Sequence, residues 1–531
     1  EKNTEKLMNY QNLDKTESFA KLQSVKASDF KHELTKDKIK NSNIPVGGGL
    51  TYNYAALPVN KQILSVLQQL CGEQELIAKY KSLLSGDVIN LGEKRSVLHQ
   101  HLRGSFKGIK VTVDGEDKDA FYESQLKSIK DFSEKIRNGT LKGSTGKPFT
   151  TICQIGIGGS DLGPRALYLA LEGYCSGQDI MQLDGKFISN VDPDDAAEVL
   201  GSLNPETTLF VLVSKSGTTL ETLTNQLLVG KMVEKCNIKG FDLTKHFVAV
   251  TSKTSPLAAS KDMRAAFFID DYIGGRYSAT SMVGAVMLSC TFGFDIFREL
   301  LDGAHENDIL SLESDITKNA AMLSAAVNVY MRNVLNLPAM AVIPYSQALS
   351  RFPAHLQQLA MESNGKHVNR FGEPVNYSTQ PVIFGEPGTN GQHSFFQLLH
   401  QGTDITPVNF IGFSENQRGQ DEVVKGTTSQ KKLIANLTAQ IVAMLKGKND
   451  SNPNKQFEGN RYSSLVYGKQ LTPEALGALL ALYENSVMFE GFLWNVNSFD
   501  QEGVQLGKVL ATKILENKND DEALDAYLSL F

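Results

Sequence analysis

Between Leu209 and Thr222 the chain reads LFVLVSKSGTTLET. A strand-like apolar run gives way to Ser214, Lys215, Ser216, Gly217, Thr218 and Thr219, and a helical pattern follows at once. Such a junction suits an anion. Free N–H groups and the helix dipole point at it, glycine lets the backbone come close, and hydroxyls add donors. Lys215 adds positive charge. A second junction of this kind, IGIGGSDLG at 155–163, offers Gly159 and Ser160. Plain helix capping by Ser and Thr is the competing explanation. Two such loops in consecutive strand–loop–helix units favour a phosphate cup. Neither loop is a P-loop, and the glycines miss the dinucleotide register.

Four more segments carry reactive groups. QQLAMESNGKH (357–367) places Glu362 at the end of a helix, where a carboxylate facing a cleft can act as a base. Taken alone, the segment favours the plainer reading, an exposed helix-end acid. GTNGQHSFFQLLHQG (388–402) sets His393 at a helix start after a glycine-rich loop, a place suited to proton shuttling. His400, like His99 and His101 in RSVLHQHLRG, reads as structural. IGGRYSATS (273–281) offers Arg276, whose guanidinium can hold an oxyanion. SFDQEGVQLGK (498–508) supplies Gln501 and Lys508, the latter on its own a solvated helix lysine.

The elements that must position these groups follow from the hydrophobic pattern. From about 149 onward, apolar runs such as FTTICQI, TTLFVLV and HFVAV alternate with amphipathic helices. That alternation implies a parallel sheet covered on both faces. After DITKNAAMLSAAVNVYMRNVLNL it restarts, with PAMAVIPY, PVIFG and TPVNFIGF as strands. The second unit resembles the first in order of elements and not in sequence. Residues 1–120 read as a mainly helical N-terminal segment, with a turn at Asp114-Gly115. Residues 121–290 read as a first, smaller α/β unit, and 291–531 as a second, larger one ending in helices. Thr472 and Pro473 read as the N-cap and first position of a long helix.

The totals restrict the function classes. The chain has 531 residues, ample for a large core, and a formal net charge of −6. There is no basic surplus for a nucleic-acid backbone, so an anionic substrate needs a locally positive site. Five cysteines without a C-x-x-C pair fit neither a disulfide framework nor a zinc knuckle, and point to a reducing compartment. The N-terminal stretch EKNTEKLMNYQNLDK lacks an apolar leader core, and no apolar run is long enough to span a membrane. The expectation is a cytoplasmic globular protein with no nucleic-acid or membrane partner.

GIGGSDLGP, SKSGTTLET, GGRYS, MESNGK, GTNGQHSFFQLLHQGT and NSFDQEGVQLGK, in this order across about 150–510, closely resemble the glucose-6-phosphate isomerase (phosphoglucose isomerase) family. The resemblance implies two sugar-isomerase-type (SIS) α/β subdomains, each a parallel sheet flanked by helices, and a homodimer with shared active sites. It implies reversible aldose–ketose isomerisation of glucose 6-phosphate to fructose 6-phosphate, with no metal or organic cofactor. By motif position, Gly159, Ser160, Ser214, Lys215, Ser216 and Thr219 would hold the sugar phosphate. Arg276, Gln358 and Gln501 would line the reacting end. Glu362 would be the base, His393 from the neighbouring subunit would help open the ring, and Lys508 would assist. Ala279-Thr280 stand where the family usually has Leu-Trp, Glu502 where Trp is common, and Ala360 where Asp is frequent. A non-catalytic sugar-phosphate sensor of the same fold is the alternative.

Overall fold

In a computed structural model, residues 8–26 and 28–531 are described, so residues 1–7 of the polar N-terminal stretch lie outside the described residues. Eleven strands matter for the site: β1 (Asn43–Gly47), β2 (Leu50–Asn53), β3 (Thr151–Ile155), β4 (Asp184–Ile188), β5 (Thr208–Val213), β6 (Phe247–Thr251), β7 (Ala265–Phe268), β8 (Ala339–Pro344), β9 (Val382–Phe384), β10 (Val408–Phe413) and β11 (Ser463–Gly468). β3–β7 form a parallel sheet in the order β4-β3-β5-β6-β7. The other sheet runs β1-β2-β11-β10-β8-β9. Its last four strands are parallel, and the β1–β2 hairpin is added antiparallel at the β11 edge.

The apolar runs become buried strands because helices cover both faces. All six residues of β5 and all five of β6 are buried. β4 and β11 are less apolar and were not expected. Nor was the β1–β2 hairpin, which sits inside a segment that reads as helical. Its turn, Gly47 to Gly49, has positive φ throughout. The turn at Asp114-Gly115 forms as expected, closing a two-residue hairpin with both φ positive.

Seven helices frame the sheets and the C-terminus: α1 (Leu162–Gly177), α2 (Leu220–Glu234), α3 (Phe294–Leu310), α4 (Ser429–Lys446), α5 (Pro473–Trp494), α6 (Gln505–Leu515) and α7 (Glu522–Leu528). α5 starts as its sequence implies, with the Thr472 side chain accepting from the Ala475 N–H and Pro473 in the first turn. It is buried almost all round. It meets α3 backbone to backbone: a Cβ on Gly477 would stand 1.8 Å from the Leu300 carbonyl oxygen, and one on Gly303 1.9 Å from that of Glu474.

Two buried acids on α5 are handled differently. Glu484 pairs with Arg103, which also donates to both oxygens of Asp308 at 2.9 and 2.7 Å. Among the described residues Glu490 has no cationic partner. Asn328 donates to it at 2.8 Å and Ser486 at 3.3 Å, and burial pushes its carboxyl up to about 7. A carboxyl raised in the folded state binds its proton more tightly there than when unfolded. Its stabilising effect is therefore fully present below the unfolded value near 4.5 and is lost as pH rises through about 7. Glu490→Gln should make unfolding free energy less pH-dependent between pH 5 and 8. The variant should be the more stable protein at pH 8, by up to about 3 kcal/mol. Parallel urea titrations at pH 5 and pH 8 check this; equal differences from wild type at both pH values would contradict it.

Candidate functional site

In the first sheet β4 lies on one side of β3, and β5, β6 and β7 lie on the other. The chain therefore reverses direction between β3 and β5. That topological switch opens a crevice beyond the carboxyl ends of both strands, the place where open α/β sheets bind ligands. β3 and β5 pair from Thr151 opposite Thr208 to Ile155 opposite Leu212, so their ends are level. The loops 156–160 and 214–219 consequently lie side by side.

The hydroxyls of the second loop are not spent on helix capping. Thr219 occupies the N-cap position of α2 but its side chain caps no N–H. Its hydroxyl meets that of Ser214 at 3.0 Å, and Ser214 accepts from the Gly217 N–H at 3.0 Å. Gly217 has φ +72°, a left-handed conformation that suits glycine. Ser216 is exposed and accepts from the Thr218 N–H at 3.1 Å. α1 likewise begins at Asp161 without a side-chain cap. Asp161 is instead bound to Arg165 at 2.8–3.2 Å. Two adjacent helix N-termini thus present uncapped first turns to one crevice. Lys215 reaches past the cup to donate to the Ile273 carbonyl at 3.2 Å, and burial holds its ammonium below the ordinary lysine range.

That contact leads to the reacting end. Residues 275–277 make a tight turn directly against residues 158–160. A Cβ on Gly159 would stand 2.2 Å from the Gly275 carbonyl oxygen, so glycine is needed there for close approach rather than for φ. Gln154, from the buried strand β3, holds the first loop by donating to the carbonyls of Ser160 and Val283 at 2.9 and 3.1 Å.

Arg276 is 1% exposed, and each of its five N–H donors has a partner. Nε donates to the Ser363 hydroxyl at 2.7 Å. One terminal nitrogen donates to Glu362 Oε1 at 3.0 Å and to Gln501 Oε1 at 3.1 Å. The other donates to the carbonyls of Ser498 and Asp500 at 2.6 and 3.0 Å. Glu362 ends a π-helical turn, Gln357–Glu362, which also carries Gln358. Such turns recur at functional sites. Gln358 Nε2 lies 3.5 Å from where a Gly158 Cβ would be, while its Oε1 is buried with no partner among the described residues.

Reactive positions found from sequence therefore converge in part. Arg276 bonds Glu362 and Gln501 directly, Gly159 packs on Gly275 beside Arg276, Gln358 lies next to Gly158 and Lys215 bonds the Ile273 carbonyl, with Ser160, Ser214, Ser216 and Thr219 in the flanking loops. His393 and Lys508 are not brought in. His393 is exposed on a short turn, Asn390–His393, and Lys508 is exposed on α6. Neither forms a hydrogen bond or ion pair with Glu362 or Arg276. Sequence reasoning missed the residues that hold Arg276 in place. Ser363 also bonds the Tyr277 hydroxyl at 2.7 Å. Lys366 donates to the carbonyls of Asn497 and Asp500 and to the Asp500 carboxylate at 2.6–3.0 Å. All lie within the segments singled out, but their role is visible only once the segments meet.

A family model described as phosphoglucose isomerase matches residues 53–529. The chain is similar to the glucose-6-phosphate isomerase of Treponema denticola, at 56% identity over 96% of this chain and 97% of that protein. It is similar to the one of Treponema pallidum at 52%, over 99% and 98%. It also matches the crystal structure of a glucose-6-phosphate isomerase from Chlamydia trachomatis, with TM-score 0.91, 42% identity, and 98% and 99% coverage.

The uncapped loop generates a direct expectation. Ser216→Asp places a negative charge in the cup at an exposed position, so the fold should survive while anion binding weakens by like-charge repulsion. Inorganic phosphate should raise the thermal midpoint of wild type and should raise that of the variant much less. An undiminished rise in the variant would put the anion elsewhere.

Proposed function

The chain belongs to the phosphoglucose isomerase family, and from that premise we propose how its side chains divide the work. The reaction is the reversible isomerisation of glucose 6-phosphate to fructose 6-phosphate, a step of glycolysis and gluconeogenesis. The observation that carries the assignment of roles is the Arg276–Glu362 contact at 3.0 Å, set beside two uncapped helix N-termini. A non-catalytic sensor would need the phosphate cup but not a carboxylate held at its mouth by a fully bonded guanidinium.

The phosphate binds in the cup formed by Gly159, Ser160, Ser214, Lys215, Ser216 and Thr219. Binding energy at this remote group holds C1 and C2 over Glu362. Arg276 fixes Glu362 Oε1, which leaves Oε2 without a protein partner among the described residues and able to take the C2 proton. Negative charge then develops on the enediol oxygens beside the guanidinium, a fixed positive charge in a buried setting. Glu362, now protonated, returns the proton to C1. The unpaired buried Oε1 of Gln358 is an acceptor for a sugar hydroxyl, since leaving it unpaired costs about 1–3 kcal/mol. Gln501, already oriented by Arg276, lines the same end.

Ring opening requires proton transfer at the ring oxygen and the anomeric hydroxyl, and it falls to His393 and Lys508. Both are exposed in a single chain, which supports a homodimer in which His393 completes the neighbouring site. The C-terminal helices support it too. α6 and α7 bury no residue, and Leu506, Val509, Leu515, Tyr527 and Phe531 all lie more than half exposed. Apolar surface of this kind marks an interaction site. The five cysteines are free, which supports a reducing, cytoplasmic location. Among the described residues no helix is long and apolar enough to cross a membrane.

Glu362→Gln keeps the size of the side chain but lacks the basicity to take a proton from carbon. Turnover should fall by about 10⁴-fold or more, with KM changed little. A fructose 6-phosphate assay coupled to an NADP-linked dehydrogenase measures it, and near-normal turnover would remove Glu362 as the base. The shared site has its own test. Inactive Glu362→Gln and inactive His393→Ala chains, mixed and refolded, should regain part of the activity. Hybrid dimers that stay wholly inactive would assign each site to one chain.

A further inference from the structure

The second sheet repeats the connectivity of the first. β9 lies on one side of β8, and β10 and β11 lie on the other, as β4 lies on one side of β3 with β5 and β6 opposite. The second unit therefore has its own switch point, between β8 and β10. A cavity of about 520 Å³ lies there, within the about 300–1,000 Å³ typical of small-molecule sites. Its walls are the loop after β8 (345–350) and the loop after β10 (414–420).

The two crevices are covered reciprocally. The first is faced by the turn Gln357–Glu362, which follows β8 of the second unit. The second is faced by Leu169, Glu172 and Gly173 of α1, which follows β3 of the first unit. The wall is built rather than incidental. Gln417 donates to the Ala170 and Leu471 carbonyls at 2.7 and 2.9 Å, and Gln470 donates to the Asn416 carbonyl at 2.8 Å. A Cβ on Gly173 would stand 2.6 Å from Gln417 Oε1, so glycine admits this packing.

The chemistry of the second crevice differs from the first in one decisive respect. In the first, α2 begins with an uncapped turn. In the second, the N-terminus of α4 is already filled. The Asp421 carboxylate accepts from the N–H groups of Ser429 and Gln430 at 3.0 and 2.9 Å, and Thr428 caps Lys431 at 3.2 Å. The place a phosphate would take is held by the protein's own carboxylate. The walls also carry charges of both signs, Arg418 on one hand and Glu172 and Glu415 on the other. Beside these charges of both signs, several neutral polar groups remain free. Among the described residues, the side chains of Ser346, Gln347, Ser350 and Gln420 form no hydrogen bond. Hydroxyls and amides offering both donors and acceptors, next to the Tyr345 ring, match a polyhydroxylated ligand.

We infer that the crevice between β8 and β10 is a second small-molecule site, for an uncharged sugar or polyol, related to the catalytic crevice by the shared connectivity of the two sheets.

The probe is D-glucitol, observed by saturation-transfer NMR on the whole protein in its native oligomeric state. The catalytic site is kept filled with a non-isomerisable sugar-acid phosphate. Saturable binding is expected in wild type. Gln347→Ala combined with Gln420→Ala should raise the dissociation constant at least tenfold, and Ser346→Trp, which fills the cavity, should abolish binding. Isomerase activity of the same variants, assayed separately without the sugar-acid phosphate, should persist, which certifies the fold and separates this site from the catalytic one. No saturable binding in wild type overturns the inference, as it would if a second copy of the chain covered the crevice. Binding unchanged in active Ser346→Trp overturns it as well. So does displacement of glucitol by inorganic phosphate, because the site would then be an anion site.

Discussion

The arrangement depends on one buried guanidinium. Arg276 comes from the turn after the first sheet, yet every group it bonds lies beyond β8: Glu362 and Ser363 soon after that strand, and Ser498, Asp500 and Gln501 after α5. A buried charge with an unmet donor would be costly, so all these segments must close on it together. The same requirement sets the position of the Glu362 carboxylate. Its rigidity comes from the chain fold rather than from the short turn on which it sits. Lys366 does for the segment 497–500 what Arg276 does for 362–363. The Asp500 carbonyl accepts from both cations, so the two networks are joined. Tyr277, stacked on the buried His99 ring at 4.5 Å, anchors the other side through Ser363.

The sequence made some of this legible and hid the rest, for physical reasons. The α/β class, the strand-exit loops and the reactive residues are local patterns, set by hydrophobic period and by residue type at a junction. β3, β5, β6, β8 and β10 stand out because burial on both faces makes them continuous apolar runs. β4 (DGKFI) and β11 (SSLVYG) carry too little of that signal, and the β1–β2 hairpin hides beside helices in an N-terminal segment that pays its way by extending a distant sheet. Pairings such as Gly159 against Gly275 or Lys366 against Asp500 leave no trace in local spacing. His393 and Lys508 mark another limit. Their motifs are plain in the sequence, but a single chain does not bring them to Glu362.

Helix capping separates the two crevices. At Thr219 a residue type expected to cap forms no capping bond and turns its hydroxyl to Ser214 instead. At Thr428 the same residue type caps its helix, and Asp421 adds a carboxylate. One connectivity, used twice, therefore yields one terminus open to an anion and one closed to it. Sequence similarity between the units is absent, which is what this division of labour requires. The shared feature is strand order, and strand order sets where a crevice opens without dictating what enters it.

A protein with net charge −6 can still favour an anionic substrate, because what matters is the field inside the crevice. There the contributions are short-range and oriented: two helix N-termini, Lys215, and Arg276 behind the reacting end. Lys215 is held below its ordinary range mainly because it is withdrawn from water, with Asp271 opposing that shift. On the proposed reading, a phosphate arriving beside Lys215 would oppose that depression. Binding would then strengthen the very charge that attracts the ligand. Arg276 is satisfied by protein groups before any ligand arrives, so its charge is fixed throughout. One cation responds to the phosphate and the other does not. The phosphate end can thus adjust on binding, while the end that must stabilise a transient enediolate stays preorganised.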